Sequence, residues 1–190
     1  MLRVADGIPH SIKTAALFAI DLIKPGEAIF LNNGILSHAM AGFITKDLCS
    51  TIITNSACIL TSLSRRGVSN LVMVGGKFSP EFGACLGSDS LHQIGQTAAS
   101  WVFVSDCGIN AQTGISVTDA ADAAVKRAMV NQAGKIAVLM ETGQSPKSGP
   151  FGIAEASVID HLIVMGEPPE GVLLDFRRLG TSVHILPAAA

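Results

Sequence analysis

The chain has 190 residues, 48% of them hydrophobic, which is enough for one well-buried core and short for two. A formal net charge of −2 and a pI near 6.2 give no global attraction to a polyanion. The densest basic pairs are Arg65-Arg66 and Arg177-Arg178, so no basic patch offers itself to nucleic acid. The four cysteines (Cys49, Cys58, Cys85, Cys107) are widely spaced and never form a CxxC pair, which argues against a zinc site and a disulfide framework and fits a reduced, cytoplasmic setting.

The opening Met1-Leu2-Arg3-Val4-Ala5-Asp6-Gly7-Ile8-Pro9 lacks a cationic segment leading into an apolar core, so no signal peptide is expected. Breaks such as Lys24-Pro25-Gly26 interrupt every apolar stretch before it reaches the length of a membrane span. Apolar residues at helical spacing from Ile12 to Ile23 predict a helix, stopped by Pro25-Gly26. A strand over Ala28 to Leu31 follows, then a helix over Ile35 to Ile44, a strand over Thr51 to Thr54, a helix over Ala57 to Leu63 and a strand over Leu71 to Val74. That alternation predicts βαβ units and a largely parallel sheet.

The Gly/Pro-rich stretch from Gly75 to Gly83 reads as a loop, followed by a short strand Ala84 to Leu86 and a helix Ser88 to Ile94. Trp101 to Ser105 reads as a buried strand, and Asp106 to Gly114 as a turn. The next helix, capped by Thr118 or Asp119, runs through Lys126 and Met129. Further strands are expected at Ile136 to Met140, Val158 to Met165 and Val183 to Leu186, with a loop from Thr142 to Gly152. No internal repeat or linker divides the chain, so a single domain is expected.

Three of these strands end in small or amide residues: Asn32-Asn33-Gly34, Thr54-Asn55-Ser56 and Gly75-Gly76-Lys77. In an open parallel sheet the carboxyl ends of the strands are where ligands bind, so the three edges point to one crevice. Each has a plainer reading too: Asn and Gly suit a tight turn, and Asn55 or Ser56 can cap the next helix. Neither a Walker motif nor a Gly-x-Gly-x-x-Gly follows any strand, and no Gly-x-Ser-x-Gly elbow is present. The histidines (His10, His38, His92, His161, His184) have no partners at metal-ligand spacing. Asp106, Asp119, Asp122, Lys126, Glu141 and Lys147 are the charged groups expected near strand ends. Asp122 and Lys126 are four apart on one helix face, where an exposed ion pair contributing about 0.3 to 0.5 kcal/mol is the simplest account.

Taken in order, Gly26-x-Ala28-Ile29-Phe30-Leu31-x-x-Gly34, Ile53-Thr54-Asn55-Ser56, Val74-Gly75-Gly76, Leu86-Gly87, Phe103-Val104-Ser105-x-x-Gly108-Ile109, Thr113-Gly114-Ile115 and Val125-Lys126-Arg127-Ala128-Met129 resemble the C-terminal sensor domain of DeoR-family transcriptional regulators over nearly the whole chain. The resemblance implies a Rossmann-like, mostly parallel α/β sheet flanked by helices, similar to the ribose-5-phosphate isomerase and CoA-transferase fold group. It also implies a cytoplasmic homo-oligomer that senses a small effector, typically a phosphorylated sugar, without catalysis, cofactor or metal.

By that resemblance the strand-end loops form the effector pocket, with Asn32, Asn33, Gly34, Ile35, Thr54, Asn55, Ser56, Gly75, Gly76, Lys77, Asp106, Cys107, Gly108, Asp122, Lys126, Gln144 and Lys147 as the ligand-binding set. Three segments depart from the family pattern. Asn33-Gly34-Ile35-Leu36 stands where the family has Ser-Gly-Thr-Thr, and Cys107-Gly108-Ile109-Asn110 stands for Asp-Gly-Ile-Asp, with Asp106 one place earlier. Glu141-Thr142-Gly143-Gln144 stands for Asp-Ser-Ser-Lys, with Lys147 as the displaced cation. Family members read DNA through an N-terminal winged helix-turn-helix, and this chain begins almost at the sensor domain, so DNA recognition is assigned to no residue present. The alternatives are a sugar-phosphate isomerase on the same fold, using Asp106, Glu141 and Lys126, or a degenerate domain that only mediates oligomer contacts.

Overall fold

In the computed structural model, residues 7–142 and 148–187 are described. The chain opens with helix α1 (His10–Asp21), then alternates β1 (Ala28–Leu31), α2 (Ile35–Ala41), β2 (Thr51–Thr54), α3 (Ala57–Arg65) and β3 (Leu71–Met73). A two-stranded hairpin, β4 (Lys77–Ser79) and β5 (Ala84–Leu86), leads through α4 (Ser88–Gly95) to the central strand β6 (Ala99–Val104). Next come β7 (Gly108–Asn110), β8 (Gly114–Val117), α5 (Ala120–Asn131), β9 (Ala133–Glu141) and β10 (Phe151–Ala154). After a 3-10 turn (Ala156–Val158), the chain closes with β11 (His161–Met165), α6 (Glu170–Arg178) and β12 (Ser182–Leu186).

Seven strands form one sheet in the order β12-β11-β9-β6-β1-β2-β3, and every pairing in it is parallel. The Rossmann-like α/β class read from the sequence is therefore correct. Because a parallel sheet is covered on both faces, its strands are continuously apolar and their side chains alternate between two cores. Ile29, Leu31, Trp101, Phe103, Ile163 and Met165 pack with α1, α2 and α3. Phe30, Val102, Val104, Leu162 and Val164 pack on the other side with Val125 and Met129 of α5 and Phe176 of α6. Each large side chain so buried contributes about 1.5 to 3 kcal/mol.

Chain order reverses at the middle of the sheet. From β1 the chain steps outward to β2 and β3, then returns to lay β6 against the other side of β1 and proceeds to β9, β11 and β12. Helices that follow β1 and β6 therefore leave toward opposite faces, opening a crevice at the carboxyl ends of these two strands.

Several segments differ from the sequence reading. The Gly75 to Gly83 loop contains β4, the Asp106 to Gly114 turn contains β7, and the Thr142 to Gly152 loop gives way to β10 at Phe151. Strand β7 pairs antiparallel with β8, which pairs with β10 to make a small sheet packed on α5. The strand expected from Val158 begins only at His161, and helix α6 was not expected.

At the outer edge of the large sheet, His161 and His184 stack 5.2 Å apart with Nδ1 of the first 2.9 Å from Nε2 of the second. Phe18 packs on His184 and Trp101 on His161, while Lys135 lies over the Trp101 ring. Burial lowers both imidazoles below their ordinary range; at His161 the His184 ring and Lys135 add to this and Asp160 opposes it. Since the folded pKa lies below the unfolded one, the unfolded chain binds more protons in the window between them, and stability rises with pH there. The stabilisation is complete above about pH 6.5 and is lost as pH falls through the folded values. Melting temperature should thus decline on acidification below about pH 6.5, and His184→Gln should flatten that decline. Parallel calorimetric profiles for variant and wild type would assign the acid sensitivity elsewhere.

Candidate functional site

At the end of β1 the residues needed for a tight approach are present. Asn32 is fully buried; its Oδ1 accepts from the Gly34 amide at 2.8 Å and from the Ser37 hydroxyl at 3.3 Å, forming a turn that launches α2. Gly34 is the N-cap of α2 but has no side chain to cap with. Its neighbours across the crevice take that role. The Ile35 amide donates to Asp106 Oδ2 at 2.6 Å, and the Leu36 amide donates to Ser105 Oγ at 3.1 Å. These bonds satisfy amides that a helix start otherwise leaves open, and the carboxylate also meets the positive end of the helix. A side chain at Gly34 would collide with Ser105 Oγ and crowd Asn32 Oδ1 and Asp106 Oδ2, which is why glycine stands there.

Asp106 adopts the left-handed conformation, φ 54°, as no other non-glycine does among the described residues. Such backbone costs on the order of 1 kcal/mol, offset here by charge-assisted hydrogen bonding. Just beyond it, Cys107 is buried, and burial pushes its thiol up to about 12, opposed by Lys126 and reinforced by Asp106 and Asp122. The same four groups therefore share one electrostatic neighbourhood. Glu141, at the end of β9, has its carboxyl raised by burial and by Asp106. His38 on α2 is lowered by burial, with Asp106 opposing.

Lys126 reaches up from α5. Its ammonium lies 2.9 Å from Asp122 Oδ2 and donates to the Ser105 carbonyl at 3.3 Å. The exposed ion pair expected from the spacing is corrected: the two side chains are only 2% and 5% exposed. Ala123 shares the buried face of α5 with Asp122, Val125, Lys126 and Met129. Of the two expected caps, Thr118 and Asp119, it is Asp119 that accepts from the Ala121 and Asp122 amides and fixes the start of that helix.

The adjoining strand ends line up by register. Leu31 pairs with Thr54 and Thr54 with Met73, so Asn32, Asn55 and Val74 leave the sheet side by side. Thr54 Oγ1 accepts from the Ser56 amide, and Ser56 caps α3. Asn55 clamps β5, donating through Nδ2 to the Cys85 carbonyl. Gly75 donates to Gln93 Oε1 and accepts from Ser90 Oγ, while Gly76, at φ 139°, fits against Ser90 where no Cβ has space. Lys77 is exposed on β4, and Gly108 begins β7. Gln144 and Lys147 lie outside the described residues.

Five buried polar atoms at this edge have no hydrogen-bond partner among the described residues: Asn32 Nδ2, Asn33 Oδ1, His38 Nε2, Asn55 Oδ1 and Asp122 Oδ1. A buried polar group left unpaired costs about 1 to 3 kcal/mol, so such a concentration is uncommon in a folded interior. Residues the sequence did not single out for this role are Ser105, Ser37 and His38. Ser105 had a detectable signal in that it directly follows a buried strand. No group of three or more His, Cys, Asp or Glu among the described residues could hold a metal ion, and no helix among them is long and apolar enough to cross a membrane.

Comparison with known proteins identifies the family. Residues 11–165 match the family model described as the DeoR C terminal sensor domain. The chain is 26% identical over 162 residues to the uncharacterized HTH-type transcriptional regulator FruR of Bacillus subtilis, covering 84% of this chain and 64% of that protein. It is 23% identical over 174 residues to a putative aga operon transcriptional repressor of Escherichia coli O157:H7, covering 92% and 65%. To the HTH-type transcriptional repressor GlcR of B. subtilis it is 27% identical over 145 residues, covering 76% and 55%. The chain thus spans less than two thirds of the length of these relatives, each of which is named a regulator or repressor of transcription. With the family match running from α1 to the end of β11 and the expected sheet in place, the chain belongs to the DeoR C-terminal sensor domain family.

Proposed function

We propose that the chain is the effector-sensing part of a transcriptional regulator of carbohydrate metabolism, and that a small polyhydroxylated metabolite is held in the crevice between the ends of β1 and β6. The observation that carries this reading is the set of unpartnered buried polar atoms gathered at one sheet edge. Family resemblance puts phosphorylated sugars first among the compounds to try. Homo-oligomerisation, and DNA contact by the regulator through a helix-turn-helix, belong to the same proposal. An isomerase reading is weaker, because Asp106 is already engaged with the Ile35 amide of α2 and Lys126 with Asp122.

Asn33 gives the clearest test. Its Oδ1 is buried and unpaired in the free chain, so Asn33→Ala removes an unsatisfied group and should leave melting nearly unchanged. If the crevice is the site, the same substitution should weaken effector binding about tenfold, the equivalent of roughly 1.4 kcal/mol. The effector itself should be recognisable by thermal shift. At about 100 times Kd it adds roughly 2.7 kcal/mol, and at about 2 to 4 °C per kcal/mol for a chain of this size the midpoint should rise by several degrees. Equal affinity of Asn33→Ala and wild type for a stabilising compound would move the site away from this edge.

A further inference from the structure

We infer that β12 is the surface through which two copies of this chain pair, edge to edge and antiparallel, about a two-fold axis at His184. The inference deepens the homo-oligomerisation in the proposed function and rests on it. β12 ends the large sheet, and no strand lies beyond it among the described residues. Its backbone is divided between two sides. The Ser182 amide donates to the Asp160 carbonyl and the Leu186 carbonyl accepts from the Gly166 amide, so Ser182, His184 and Leu186 turn their polar groups toward β11. The residues between them turn theirs the other way, which leaves the amides and carbonyls of Val183 and Ile185 aimed outward.

Folded chains blunt such an edge with charge, proline, a bulge or a very short strand. β12 uses none of these. Ser182 to Leu186 holds no acid, lysine, arginine or proline, and the strand pairs with β11 over 5 residues in unbroken register. The opposite edge, β3, is only 3 residues long. Apolar surface gathers beside β12: Ile185 is 50% exposed, and Leu174 and Leu179 of the adjoining α6 are 42% and 41% exposed.

The strand is complementary to itself. With His184 on the axis, Val183 of one protomer stands opposite the partner's Ile185 and exchanges both backbone hydrogen bonds with it, which is what the outward groups require. Val183 and Ile185 share the face on which α6 packs, so each such pair brings two β-branched side chains together out of water. On that face Phe176 of α6 packs with Leu162, Val164 and Val183, which seats the helix over β11 and β12. At ordinary strand spacing the helix and its copy then come to about 10 Å apart, the distance of packed helices. They run antiparallel, so their charges are complementary. Asp175 turns inward to Gln112 and Arg178, which puts Arg177, two positions on, on the outward flank. The exposed Arg177 in the last turn of one α6 thus lies beside the exposed Glu167 just ahead of the other. Pairing uses up the edge on both copies, so assembly across this face closes at the dimer.

The experiment is sedimentation equilibrium of the whole chain at micromolar concentrations, each variant first shown by its melting curve to be folded. Wild type should sediment as a dimer or a multiple of one. Ile185→Lys, which sets a cation against the partner's Val183 on both sides of the axis, should weaken association at least tenfold. Arg177→Glu should weaken it several-fold, and adding Glu167→Arg should restore most of the loss; this pair of variants carries the test if Ile185→Lys does not fold. An assembly that persists unweakened in folded Ile185→Lys, or in Arg177→Glu, overturns the inference and leaves oligomerisation to another face. A monomeric wild type overturns both, and leaves the edge to a different occupant such as another segment of the regulator.

Discussion

Lys126→Met is expected to lower the melting temperature by roughly 6 to 20 °C, far more than an i,i+4 pair on a solvated helix would. Exposed pairs of this spacing contribute about 0.3 to 0.5 kcal/mol. Here both partners are out of water, and the cost of having buried Asp122 is met by the ammonium 2.9 Å away. Removing the cation leaves a carboxylate with one oxygen abandoned and the other already unpartnered. Breaking such a pair from one side costs about 3 to 5 kcal/mol, which at about 2 to 4 °C per kcal/mol gives the stated range. The double variant Asp122→Leu with Lys126→Met should recover most of the loss, since a buried pair replaced on both sides is close to neutral. Calorimetry on the two single variants and the double one reads the coupling directly. A fall of only one or two degrees for Lys126→Met would mean that water reaches this pair.

Gly34→Ala should cost roughly 2 to 4 kcal/mol and abolish effector binding. The backbone at Gly34 is extended, φ −78° and ψ 160°, so alanine is conformationally acceptable and the effect must be steric. The new methyl would run into Ser105 Oγ and lie 2.9 Å from Asn32 Oδ1 and 3.1 Å from Asp106 Oδ2. Moving those groups aside breaks the contacts that hold the first amides of α2, so overpacking and loss of helix capping add together. Trimming the obstacle should reverse part of this. Ser105→Ala in the Gly34→Ala background should regain stability even though Ser105→Ala alone removes a cap. A double variant less stable than Gly34→Ala would refute the close approach of the two strand ends.

The large sheet was readable because most of its strands are apolar runs bounded by turn residues, and β1 and β2 fall where those runs predict. Strands β4 and β7 were hidden because Gly75-Gly76 and Gly108 carry the composition of turns, and their pairing with β5 and β8 is a tertiary matter. Helix α6 was missed although Leu173 and Phe176 carry its buried stripe, because Gly171 weakens the local helical signal.

In the site, spacing placed Asp122 and Lys126 on one face correctly but could not say whether that face was wet. The same interval serves an exposed pair and a buried one. Asp106 was recognisable as a strand-end acid, yet its bond to the Ile35 amide joins residues 71 apart in sequence, and no local pattern encodes it. Ser56 and Asp119 illustrate the opposite case. Capping is local chemistry, and both residues cap the helices that their positions suggested.

The most direct test of the account is to titrate the isotopically labelled chain with a carbohydrate that raises its melting temperature, and to follow the backbone amides by NMR. If the crevice at the reversal of strand order is the effector site, the largest shifts should fall on residues 32–36 and 105–108, with Asn55 affected as well. Shifts confined to the His161–His184 edge or to α6, with the amides of Ile35, Leu36 and Gly108 unmoved at saturation, would contradict it.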